Sequence, residues 1–192
     1  MTRFSGLSTA LVFALGAIAC GGKEPEPAAE APAETAAPAP AAAATDWLRV
    51  DDAAKTVAIE VVAGKDATNN SWNFNGYANG NATITVPTGY TVSISFSNND
   101  PNMAHSLGVT EKPAGAWSAT PTPTPVFAGA MSANPTSMTD AATKAKPPET
   151  IAFTADKAGA FALACFVPGH AAAGMWINFT VADGATAGVS AM

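Results

Sequence analysis

From residue 46 onward the chain alternates. In "KTVAIEVVAG", "ATITVP", "YTVSISFSN", "ETIAFTAD" and "MWINFTVAD" an apolar residue, often β-branched or aromatic, falls at every second position. Period two places those residues on one face of an extended strand, and a single strand cannot bury that face alone. "SWNFNGY", "HSLGVTE" and "GAFALACF" read as strands on the same grounds. Turn formers separate the segments: "KDATNN", "NGN", "PTGY", "NNDPN", "DKAG" and "PGH". No segment keeps a helical period for three turns. About eight short strands divided by such turns predict an all-β fold, a Greek-key β-sandwich or barrel with antiparallel strands.

One segment interrupts the rhythm. Residues 112 to 148 are too long and too rich in proline for a hairpin turn. A connection of that length inside a compact domain is usually functional or disordered. Trp117, Phe127, Met131 and Met138 within it predict an ordered excursion packed partly against the sandwich, with a helical turn around "SMTDAATKA".

Ahead of the strands lie two segments of different character. Residues 1–19 read as a signal peptide: Arg3 gives a positive start, "LSTALVFALGAIA" is a short apolar run, and small residues follow. Ala17 and Ala19 fit ordinary A-x-A cleavage, whereas Cys20 after a small residue and before "GGKEPEP" resembles a bacterial lipobox, with Ala17 where that motif usually has Leu. The second reading predicts an exported lipoprotein anchored at Cys20, in the periplasm or at the cell surface. Residues 20–45 are nearly all Ala, Pro, Glu and Gly, the composition of a linker. The folded domain is expected over 46–192.

Charge excludes one class of partner. Residues 46 to 192 hold eleven Asp or Glu against seven Lys or Arg, with no basic run, so nucleic acid is not an expected partner. Cysteine usage is more telling. With Cys20 used by processing or lipid, Cys165 has no partner within the chain. An exported free thiol has three explanations: an inert buried cysteine, an intermolecular disulfide, or a metal thiolate.

"CFVPGHAAAGMW" favours the third. Cys165 ends a strand, His170 follows a Pro-Gly turn, and Met175 opens the last strand, so the loop carries a thiolate, an imidazole and a thioether. Thiolate and imidazole with a weak thioether suit copper in an electron-transfer site, whereas structural zinc wants more Cys or His than this chain has. A further ligand has to come from elsewhere, and the only other histidine, His105, also stands at a strand end.

These residues carry a resemblance. Cys165, His170 and Met175 with four residues in each gap, and a histidine upstream in "MAHSL", resemble the blue copper proteins called cupredoxins. "NFNGYANGNATITVPTGYTVSISFSN", residues 73 to 98, is similar to the sulfocyanin branch, where an FNG segment precedes a VP-G strand pair. The resemblance covers about 46 to 183. It implies a cupredoxin fold with one copper, cycling between Cu(I) and Cu(II), bound by His105, Cys165, His170 and Met175. It also implies that the edge of the downstream histidine, here His170 beside "AAAG", is the electron port. Ser106 follows the upstream histidine, where many cupredoxins carry Asn.

The function so implied is transfer of single electrons between membrane-associated redox proteins of a respiratory chain, by a monomer that is not an enzyme. An oxidase or nitrite reductase would need more histidines than two. A copper carrier or storage protein would want open Met and His clusters, while Met103, Met131 and Met138 are scattered. A metal-free sandwich for adhesion would leave Cys165, His105 and His170 without a shared task. Trp72, Phe74 and Tyr77 are expected in the core, and Phe166, Trp176 and Phe179 either in the core or packed just behind the ligands.

Overall fold

Along β2 (Thr56–Ala63) the residues Val57, Ile59, Val61 and Ala63 are buried and those between them face outward. β4 (Thr91–Asn98) repeats the pattern with Val92, Ile94 and Phe96. The two strands lie side by side in parallel, pairing Val57 with Val92, Ile59 with Ile94 and Val61 with Phe96, so their apolar faces merge. β1 (Leu48–Asp51) and β6 (Glu149–Thr154) flank them in a sheet of order β1-β2-β4-β6. The second sheet joins β5 (Gly108–Glu111), β7 (Gly159–Ala164), β8 (Trp176–Ala182), β3 (Ala82–Pro87) and β9 (Gly188–Ala191), in that order. The computed structural model describes residues 45–143 and 145–192; the expected leader, Cys20 and the linker up to 44 lie outside the described residues.

Between the sheets the buried faces meet. Phe153 of the first sheet lies 6.1 Å from Phe179 of the second, ring centre to ring centre, amid Ile59, Ile94, Ile84, Leu163 and Ile177. Each such side chain removed from water contributes about 1.5–3 kcal/mol, which is what holds two otherwise unstable sheets together.

The all-β sandwich expected from the sequence is the observed architecture, but the strand directions differ from the antiparallel reading. β2 runs parallel to β4, and β3 parallel to β8. From β2 to β7 each strand lies in the sheet opposite its predecessor, and the directions on return are mixed: β2 and β4 are parallel, whereas β4 with β6 and β5 with β7 are antiparallel. Only β1 with β2, and β7 with β8, are neighbours both in sequence and in a sheet. β1 and β9, four residues each, were too short to show alternation. "SWNFNGY" is not a strand. Phe74 is buried and bridges Ala63, but Asn75 and Gly76 follow at φ 53° and 86°, and this left-handed pair turns the chain.

Over its described residues the excursion from 112 to 148 packs against the sandwich, as its aromatic residues predict. Its returning part lies against β5, with Val109 N–H donating to Ala130 O and Ser132 N–H to Leu107 O, and so covers an edge that would otherwise be open. Phe127 is buried, stacked on Phe153 at 5.3 Å and set edge-on to Phe161 at 5.4 Å. Trp117 and Met131 are half-buried, whereas Met138 is 62% exposed and does not pack. Around Ser137–Asp140 there is a turn rather than a helix, closed by Asp140 N–H donating to Ser137 Oγ.

Candidate metal centre

Three of the expected donors sit on one hairpin. Cys165 follows the last residue of β7 and Met175 precedes the first of β8, and Cys165 N–H donates to Met175 O at 3.1 Å, extending the ladder by one step. Inside the loop His170 N–H donates to Val167 O and Met175 N–H to His170 O, so the imidazole is carried on a short, internally bonded turn. The excursion braces it from outside through Gly169 N–H to Ala119 O, 2.6 Å. Gly174 completes the bend at φ 96°, where any Cβ would stand 2.1 Å from Asn79 Oδ1.

His105 reaches the same place from the opposite side. It lies three residues before β5, fixed by its N–H donating to Ala142 O of the excursion. Its Nδ1 is 3.0 Å from His170 Nδ1, and His170 Nδ1 is 3.5 Å from Cys165 Sγ. The ligating atoms of His105, Cys165 and His170 all fall within 4.8 Å of one another, and all three side chains are buried. Met175, fully buried, stands at the base of the same loop.

The surroundings make a built site. Cys165 Sγ receives the N–H of Ser106 at 3.3 Å, and Ser106 Oγ lies 3.6 Å away while it accepts the N–H of Phe166 at 2.8 Å. Ser106 thus ties the segments that carry His105 and Cys165 together beside the sulfur. On the far side of His105, Nε2 lies 3.0 Å from Asp100 Oδ2. Asp100 is itself buried; its other oxygen accepts the N–H groups of Asn102 at 2.8 Å and Met103 at 3.2 Å.

Burial governs the protonation states. Desolvation lowers His105, against the raising effect of the Asp100 carboxylate. Desolvation and the neighbouring His105 push His170 down to about 4, so both rings are neutral at neutral pH, as metal ligands have to be. Burial pushes Asp100 up, but the N–H of Asn102 and the bond to His105 outweigh it and hold the carboxyl below its usual range. Burial likewise pushes the Cys165 thiol up, opposed by the Ser106 bonds and the N–H of Val167, so a cation is what would favour its thiolate. Two imidazole nitrogens and a thiol sulfur converging in a dry site fit copper by donor chemistry, with the nearby thioether of the same softness.

Exposure corrects one expectation. His170 is 1% exposed, and its edge does not present itself to solvent beside "AAAG". Trp72 lies over it, with ring centres 4.0 Å apart and planes inclined by 23°. Trp72 and Tyr77 are half-buried rather than core; Trp176 is half-buried, and Phe74, Phe166 and Phe179 are buried as expected. Sequence reasoning missed Asp100 and the stacking role of Trp72. A carboxylate in the turn just before a candidate ligand histidine was the available signal for Asp100; for Trp72 no local pattern existed, since 98 residues separate it from His170.

Comparison with known proteins places these observations. The family model described as the sulfocyanin (SoxE) domain matches residues 43–130 and 131–191. No curated protein matches. Among solved structures the chain is similar to rusticyanin from Thiobacillus ferrooxidans determined at 1.27 Å, with 23% identity over 71% of this chain and 86% of that one, TM-score 0.46. It is similar also to reduced rusticyanin at 1.9 Å, with 21% identity over 70% of this chain and 87% of that one, TM-score 0.44.

Proposed function

The chain belongs to the sulfocyanin family of blue copper cupredoxins, and from that premise we propose that it carries single electrons through one copper held by His105, Cys165, His170 and Met175. The observation that carries this reading is the convergence of His105 Nδ1, His170 Nδ1 and Cys165 Sγ in a buried cluster. Bound there, copper supplies a one-electron couple between Cu(I) and Cu(II).

The protein's own groups do the rest. Ser106 donates to the thiolate sulfur and so stabilises its negative charge. Desolvation keeps both imidazoles neutral and able to ligate. The internally bonded loop and the excursion hold the donors still, so a change of oxidation state demands little movement, which suits outer-sphere transfer. Met175 would add a weak thioether donor to the copper. Members of this family exchange electrons with redox proteins; for this chain we assign that exchange to a respiratory chain, with the domain held at a membrane as a monomer through lipid on Cys20, exported to the periplasm or cell surface.

Cu(II) added to the metal-free domain should produce the intense visible charge-transfer band of a thiolate-bound copper. Cys165→Ser should abolish the band while the sandwich still folds, and Met175→Leu should keep it. A band that survives in Cys165→Ser refutes the assignment, and copper uptake without any band favours a carrier or storage protein.

A further inference from the structure

The copper centre accounts for Cys165, His170 and His105 but gives no task to the buried charge behind them. Resting on the copper-site reading above, we infer that Asp100 is a positioning residue for the centre: it holds His105 protonated on Nε2, so that Nδ1 faces the metal, and its charge favours Cu(II) over Cu(I).

The first half follows from hydrogen-bond chemistry. An ionised carboxylate only accepts, so the 3.0 Å contact between Asp100 Oδ2 and His105 Nε2 is made by an Nε2 that carries the proton. A neutral imidazole has one proton, which leaves the lone pair on Nδ1, the nitrogen facing Cys165 and His170. Asp100 is in turn unable to swing away. Its Oδ1 takes two main-chain N–H groups, its own N–H donates to Asn98 Oδ1 at 2.8 Å, and the Asn98 amide donates to Met103 O and Ala142 O, both at 2.8 Å. Ala142 O also receives the His105 N–H, so carboxylate and imidazole hang from one small network. On one side the main chain at Gly64 packs so close that a Cβ there would stand 2.8 Å from Asp100 N.

The second half follows from charge. Among the described residues no Lys or Arg pairs with this carboxylate, whose side-chain partner is the neutral ring of His105. A negative group one imidazole away raises the basicity of the ligand nitrogen and stabilises the more positive oxidation state. His170 has no such partner; behind it stands the ring of Trp72.

Two measurements separate the parts. Nitrogen-15 NMR of the copper-free protein should show His105 as the Nε2–H tautomer, with that proton protected from exchange, and Asp100→Ala should lose the protection. Finding His105 as the Nδ1–H tautomer in the wild type overturns the positioning role. In copper-loaded protein Asp100→Ala should weaken copper binding by about 10–100-fold. Asp100→Asn, which keeps an acceptor oxygen and the shape but not the charge, should stay folded and coloured while its reduction potential rises above wild type. An unchanged or lowered potential overturns the charge role. Should the wild type give no coloured copper site, the copper reading fails, and the tautomer measurement still decides what Asp100 does to His105.

Discussion

His105 and His170 bring their Nδ1 atoms to within 3.0 Å, yet they are held by opposite kinds of chemistry. His105 is gripped by polar groups: a buried carboxylate on Nε2, a main-chain bond to the excursion, and behind these the amide network of Asn98. His170 is gripped by shape: a short loop turned at Gly174 and an aromatic ring laid over its face. One side hangs its main chain on the returning part of the excursion; the other closes first as a hairpin and is only braced from outside, by Ala119 O on Gly169 N–H and by Trp72. Two candidate ligands of one type can therefore fail in different ways.

Phe127→Ala tests the first side hardest. Phe127 is buried between Phe153 and Phe161 and seats the excursion that supplies Ala142, so its truncation should cost about 3–5 kcal/mol. Amide exchange should accelerate at His105 and Val109, whose N–H groups bond into the excursion, more than at Cys165, whose N–H bonds to Met175. Equal acceleration at all three would mean that the two sides are one unit.

Gly174→Ala attacks the second side. With φ at 96° and Asn79 Oδ1 only 2.1 Å from the added Cβ, the change should cost about 1–3 kcal/mol, read from denaturant unfolding. The His105 Nε2 proton should keep its protection in this variant.

The smallest effect is expected from Trp72, and pH is what reveals it. The folded-state value of His170 is depressed from 6.5 to about 4, so below 6.5 the unfolded chain takes up a proton that the folded chain refuses. Stability of the copper-free protein should be full above 6.5 and decline as pH falls towards 4. Asp100, whose folded value is lowered, acts later: its contribution stands above 3.8 and is lost only below it. Trp72→Ala removes a stack worth about 0.5–1.5 kcal/mol and wets the ring, and should flatten the upper window without moving the lower one. NMR titration of the two histidines checks this; a His170 that still titrates near 4 without Trp72 would show that other groups bury it.

How much of this could be read from the chain depended on whether the information was local. β3 coincides with "ATITVP" because alternation and the flanking turns are both local signals. Cys165, His170 and Met175 share a loop because their spacing puts them between two strands that alternate. The parallel pairing of β2 with β4 was not legible, since period two says which face is buried but not which neighbour a strand meets. Asp100 was hidden by its second role: "NNDPN" reads as a turn, and one carboxylate oxygen does make that turn while the other reaches His105. Ser106 Oγ accepts from Phe166 far along the chain, a contact that exists only once β5 and β7 have paired.

The separation of His105 and Cys165 along the chain has one more consequence. An ion gripping both His105 and Cys165 fastens a ring of about sixty residues, and a ring of that size is dearer to close than a ten-residue hairpin loop by about 1.6 kcal/mol. Within the ring lie the whole excursion and β6, a strand of the opposite sheet. The centre is then a clasp as well as a redox site: it removes freedom from the unfolded chain as a cross-link does, and a protein stripped of copper unfolds as an open string rather than a loop.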